Sequence, residues 1–139
     1  MRINGHGHIL PEPSQIPRFL KEKRLFWIDD DKKFMRQGDW SRPINGASFF
    51  VKEKIEWMNK YNIDHGVMLC LSQLYCNGWQ KKDCEDGIRF QNDFNASVQN
   101  EYTEKFTCGF VFYVFVLLYL FLLSLIIMYL LPSNPRLSI

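Results

Sequence analysis

Histidine is scarce in this chain: only His6, His8 and His65 occur in 139 residues, and no histidine or aspartate follows Asp93. That scarcity excludes a multi-histidine centre assembled from the whole length of the sequence. The four cysteines, Cys70, Cys76, Cys84 and Cys108, form no CxxC pair, which removes the familiar thiolate-zinc and thioredoxin-like spacings. No basic block exists either. Seventeen basic and fifteen acidic residues are interspersed for a net charge of +2, so nothing here tracks a phosphate backbone and nucleic acid is not an expected partner. The opening residues are short and polar-flanked, unlike a signal peptide. Cys70 and Cys108 lie in apolar runs and read as reduced thiols packed like small hydrophobes in a cytoplasmic setting. Charge is the last absence: residues 106–135 hold no Asp, Glu, Lys or Arg, whereas the chain up to Lys105 is ordinarily charged. The mean hydropathy of −0.21 averages two unlike segments.

What is present reads as alternating elements. Met1-Arg2-Ile3-Asn4 suits a short buried strand that runs into the tight stretch Gly5-His6-Gly7-His8, where the glycines let the backbone approach a neighbour closely. Pro11, Pro13 and Pro17 then make an irregular loop, followed by a short helix that ends in the solvated run Lys21-Glu22-Lys23-Arg24. Residues 25–36 read as an insertion hairpin around Asp29-Asp30-Asp31-Lys32. The aspartates lack the alternating ligands, glycine and distal glutamate of a calcium loop.

From Ser48, a credible N-cap, the pattern turns helical, with Val51, Ile55 and Met58 on one stripe and Lys52, Glu53, Glu56 and Lys60 facing away. Gly66-Val67-Met68-Leu69-Cys70-Leu71 is a nearly continuous apolar run, as expected of a parallel strand buried on both faces. A second helix is expected over 83–101, with Ile88, Gln91, Phe94 and Val98 on its stripe, and another strand from Phe106. Strand, helix, strand, helix, strand is the opening of an α/β fold with right-handed crossovers.

The chemistry centres on His6-Gly7-His8. On an extended backbone, residues two apart point to the same side, so both imidazoles can reach one divalent cation. An isolated HxH also suits a pair of surface turn histidines. His65 precedes the second strand and reads as structural.

The stretch Met1-Arg2-Ile3-Asn4-Gly5-His6-Gly7-His8-Ile9-Leu10-Pro11 resembles the opening of the amidohydrolase-related family, with enzymes of the aminocarboxymuconate-semialdehyde decarboxylase type nearest. The likeness continues through Arg36 and Trp40, the 51–61 helix, the 63–72 strand, Gln91-Asn92-Asp93-Phe94-Asn95-Ala96, and Lys105-Phe106-Thr107-Cys108-Gly109. The resemblance implies a TIM barrel holding a divalent metal, usually zinc, with His6 and His8 as ligands. It implies hydrolysis of amides or lactones, or non-oxidative decarboxylation of a small carboxylic acid. Arg36 would then pair with the substrate carboxylate, a role suited to guanidinium, although a surface arginine closing the hairpin fits equally. Trp40 and Trp79 line the mouth in that picture, or simply pack.

A complete barrel needs ~250 residues, so residues 1–109 would cover only the first two and a half β/α units. The later metal ligands and the general base of the family are missing, which implies half a metal site and no activity for this chain alone.

Residues 110–131 are apolar throughout, a length that meets the ~20 residues of a membrane-spanning helix, and 132–139 form a short polar tail. The change at about Phe110-Val111 also suits a frameshift or a rearranged gene end. A second functional class therefore stands beside the first: a non-enzymatic, single-pass membrane protein with a small cytoplasmic α/β head. An incomplete sheet leaves an edge and faces uncovered, so folding is expected to call on a complementing fragment, an oligomer or the membrane.

Overall fold

The computed structural model describes residues 1–45 and 50–111. Its elements in chain order are β1 (Ile3–Gly7), α1 (Arg18–Glu22), β2 (Trp27–Ile28), β3 (Phe34–Gln37), β4 (Trp40–Pro43), α2 (Val51–Lys60), β5 (His65–Met68), α3 (Lys81–Glu101) and β6 (Phe106–Cys108), with single 3₁₀ turns at Pro13–Gln15 and Ser72–Leu74.

Three strands, in the order β1-β5-β6, make a parallel sheet. Ile3 stands opposite His65 and Gly7 opposite Met68, with an irregularity between Asn4 and Gly7, while Val67 stands opposite Thr107. α2 is the crossover into β5, and its end is fixed locally. Asn62 takes the left-handed conformation at φ 53°, which an asparagine tolerates better than most residues. The Ile63 and Asn62 amides then donate back to the Met58 and Asn59 carbonyls. Ile63 and Met58 meet in the core, the apolar contact that accompanies this kind of helix stop. The chain leaves the helix aimed into β5.

The helix-facing side of the sheet is closed by Ile9, Met58, Ile63, Met68, Val98, Phe106 and Cys108, with Val51, Ile55 and Phe94 packed against them. A second core gathers Leu10, Leu20, Phe26, Ile28, Met35, Phe50, Leu71 and Leu74. It lies where the segments after β1 and β5 meet a separate antiparallel sheet in the order β2-β3-β4. The hairpin expected over 25–36 thus carries a further strand, β4. All four residues of Trp40–Pro43 are exposed, which left β4 without an apolar signal.

One expectation is corrected. The described residues form a small α/β unit of two three-stranded sheets and three α-helices, and no TIM barrel. Three strands cannot close into a ring, and the outer edge of β6 is covered by side chains where a barrel would place its next strand. Gln99 accepts from the Cys108 amide at 2.7 Å, Asn95 donates to the Gly109 carbonyl at 2.8 Å, and the Asn92 amide pairs with both the N–H and the carbonyl of Val111 at 2.9 Å. No helix among the described residues is long and apolar enough to cross a membrane. α3 has the length, but it is polar along most of its surface. Residues 112–131 lie outside the described residues, as does the expected cap Ser48.

One feature of α2 escapes its stripe. Lys54 is only 5% exposed, with Nζ 4.7 Å from the centroid of the Trp57 ring and within 3.4 Å of where a side chain on Gly7 would begin. Burial holds its ammonium below the ordinary lysine range, because the charged form loses more solvation than the neutral one. The unfolded chain then binds the proton more strongly, so this residue contributes stability that increases as pH rises through the depressed pKa toward 10.5. Replacing Lys54 by Met is expected to remove that contribution to the slope, seen as a diverging difference between the denaturation profiles of the two proteins from neutral pH to 10. Parallel profiles would contradict the assignment. For the core, Phe106→Ala is expected to cost about 3–5 kcal/mol in denaturant unfolding followed by tryptophan fluorescence.

Candidate functional site

His6 and His8 leave the sheet at the carboxyl end of β1, and the backbone irregularity between Asn4 and Gly7 sets their aim. Without it, strict strand alternation would hold; the shift instead lets the His6 amide turn toward the Asn4 side-chain oxygen at 3.3 Å. Gly7 is pressed against β5: a Cβ there would lie 2.8 Å from Met68 Cε and 3.1 Å from its Sδ. Only glycine lets β1 sit this close while Met68 keeps its place in the core.

The two imidazoles converge. Their Nε2 atoms are 3.3 Å apart, with ring planes at 90° and centroids 5.0 Å apart. His8 Nδ1 lies 3.0 Å from the Leu69 carbonyl, which can only accept, so Nδ1 carries the proton and the Nε2 lone pair accepts from His6 Nε2–H in the ion's absence. The same Leu69 donates its amide to the Gly7 carbonyl at 2.8 Å. For nitrogens about 2.0–2.1 Å from a tetrahedral zinc, the separation between two ligand atoms is about 3.3–3.4 Å. The observed spacing matches that bite, and a backbone carbonyl behind one ring is the second-layer support that metal-bound histidines normally have.

Among the described residues, no group of three or more His, Cys, Asp or Glu side chains comes together as a metal site. The nearest soft donors are unsuited to the task. Burial pushes the Cys70 thiol up and the Cys108 thiol up to about 11, and Cys70 is occupied as donor to Gly109 O at 3.2 Å and acceptor from Asn95 at 3.2 Å. Neutral thiols are poor ligands.

Arg36 sits in β3 with its guanidinium already engaged. Nε and Nη2 hold the two oxygens of Asp29 at 2.8 and 2.7 Å, and the group lies 5.4 Å over the Phe34 ring. The hydrogen bond from Arg36 holds the Asp29 carboxyl below the usual range. As a substrate anchor, Arg36 would have to exchange Asp29 for the substrate's carboxylate. The other aspartates of that turn are similarly occupied: Asp31 pairs with Lys33 at 3.2 Å and Asp30 with Lys21 at 3.7 Å. His65 stands at the opposite end of the sheet, Nδ1 donating to Glu104 O at 3.1 Å and Nε2 accepting from Thr107 Oγ1 at 2.9 Å, a structural histidine. Trp79 packs on Gly87, whose Cβ would come within 2.8 Å of the ring, while Trp40 is exposed.

Sequence reasoning missed the burial of Lys54 and the state of Gln91. Both polar atoms of the Gln91 amide are buried without a partner, against a small cavity bounded by Ile9, Leu69, Cys70 and Phe94. A glutamine on an otherwise apolar helical stripe was the available signal for the second; a lysine three residues from a tryptophan gave none for the first. No family model and no curated protein matches this chain. The partly exposed ion pair predicts that Arg36→Ala lowers stability only slightly and leaves zinc affinity, measured by calorimetric titration, unchanged within twofold.

Proposed function

We propose that this chain presents half of a divalent-metal site of the amidohydrolase type, with zinc as the preferred ion and His6 and His8 as its ligands. The reading is carried by the 3.3 Å approach of the two Nε2 atoms, together with the Leu69 carbonyl that fixes the His8 tautomer. A bound zinc ion supplies Lewis acidity, which acidifies a water or polarises a carbonyl. The chemistry this serves, once the site is completed, is hydrolysis or non-oxidative decarboxylation of a small carboxylic acid. With two ligands only, the chain is catalytically incomplete by itself.

The protein's own contribution is positional. β1 supplies both imidazoles from one short segment, Gly7 permits its close seating, and Leu69 orients His8 before any ion arrives. Arg36 is the carboxylate anchor of this reading, released from Asp29 when a substrate carboxylate competes for the same bidentate donors. Four free, buried thiols suit a reducing compartment, which supports a cytoplasmic reading for residues 1–105.

Zinc titration of the purified chain is expected to show saturable binding that His6→Ala and His8→Ala each weaken at least tenfold. The double variant is expected to be little worse than either single one, because each single change already leaves a one-point contact. Undiminished affinity in the double variant would overturn the reading.

A further inference from the structure

The histidine pair stands on a sheet face that the described residues leave exposed, and among them no third donor reaches it. Strand alternation places Ile3, His65, Val67, Leu69 and Thr107 on the side of the parallel sheet opposite α2 and α3. Ile3 is 51% exposed, Thr107 is exposed, and Val67 and Leu69 are half-buried. None of these four carries a charge, and His65 is satisfied within the sheet. His6, the outer member of the pair, is exposed at the end of the same sheet. Further donors do not exist in the remaining sequence: positions 46–49 and 112–139 contain no His, Cys, Asp or Glu. Among the described residues, no third His, Cys, Asp or Glu joins the pair.

Structural zinc takes four ligands in a tetrahedron. Two chords of 3.3 Å set at right angles about a twofold axis are the opposite edges of such a tetrahedron. Resting on the half-site reading above, we propose that zinc joins two copies of this chain, His6 and His8 of one copy and the same pair of the other supplying four imidazole nitrogens. A second copy is the partner that fits because it brings the two missing nitrogens at the required separation. It also brings an uncharged, partly apolar face to lie against its twin, so no like charges meet. An isologous contact of this kind closes on itself and does not propagate. Neither half is adequate alone, since two-ligand zinc binding is weak and the apolar face is small; the ion supplies what the contact area lacks.

The experiment uses the full chain in mild detergent, with separate preparations carrying donor and acceptor dyes, mixed with and without zinc. Expected are one zinc per two chains by elemental analysis after dialysis, energy transfer that appears with zinc and disappears with a chelator, and the intense visible bands of tetrahedral cobalt when cobalt replaces zinc. His6→Ala is expected to abolish all three. Ile3→Lys puts a charge on the contact without touching the ligands. It is expected to weaken zinc-dependent pairing at least tenfold while circular dichroism stays unchanged. One zinc per chain with no transfer would overturn the bridge and leave the half-site intact, whereas no bound zinc in any preparation would overturn both. Energy transfer that ignores zinc would also overturn the bridge.

Discussion

The peptide of Leu69 ties the site to the fold, because its two polar groups act on β1 in different ways. Its N–H closes the ladder to the Gly7 carbonyl at 2.8 Å, which fixes where β1 ends against β5. Its carbonyl accepts from His8 Nδ1 at 3.0 Å, which fixes the proton on that ring and turns Nε2 outward. A slip of one residue in the β1 register would break both bonds and send the histidines to the helix-facing side. The register is held in turn by Met68, which leaves room for no side chain at Gly7. Packing on one side of the sheet therefore dictates chemistry on the other.

That division of labour runs through the whole sheet. The helix-facing side is hydrophobic and closed, and it even holds Lys54 against a tryptophan ring. The other side keeps Ile3 and Thr107 in solvent. Beside β6, Gln99 of α3 takes the Cys108 N–H, and Asn95 and Asn92 take backbone groups of Gly109 and Val111 just after the strand. Gln99, Asn95 and Asn92 lie at positions spaced three and four apart, one row along the helix, and each takes a backbone group that a neighbouring strand would otherwise need. What remains open is the face.

Much of this was legible in the residues. Helix periodicity located α2 and α3, the apolar run from Gly66 located β5, and the HxH spacing brought out the only convergent imidazoles. What could not be read were properties set by distant contacts. The bonding beside β6 depends on amides some ten to twenty residues away whose side chains look merely polar in a linear reading. β4 is exposed along its length and has no alternation to betray it. The barrel was what a family resemblance implied, and a likeness of short motifs says nothing about how many strands the described residues form or what covers the last one. Arg36 was marked for a substrate's carboxylate or as a surface arginine closing the hairpin; here its guanidinium holds Asp29, seven residues away across the β2–β3 turn.

The placement of the histidine pair on an edge strand has an energetic consequence. β1 has one hydrogen-bonded neighbour, β5, and the last residues of such a strand are the first to fray. An ion bound by both rings is bound only when residues 6–8 are seated, because the 3.3 Å approach needs Gly7 against Met68 and His8 against Leu69. Binding free energy is then converted into strand-docking free energy, in proportion to RT ln(1 + [L]/Kd). On the proposed metal reading, a weak part of the sheet would be the part most responsive to the ion. Glycines on either side of His6 raise the entropy lost on seating, so an ion held there would order β1 as well as serve chemistry.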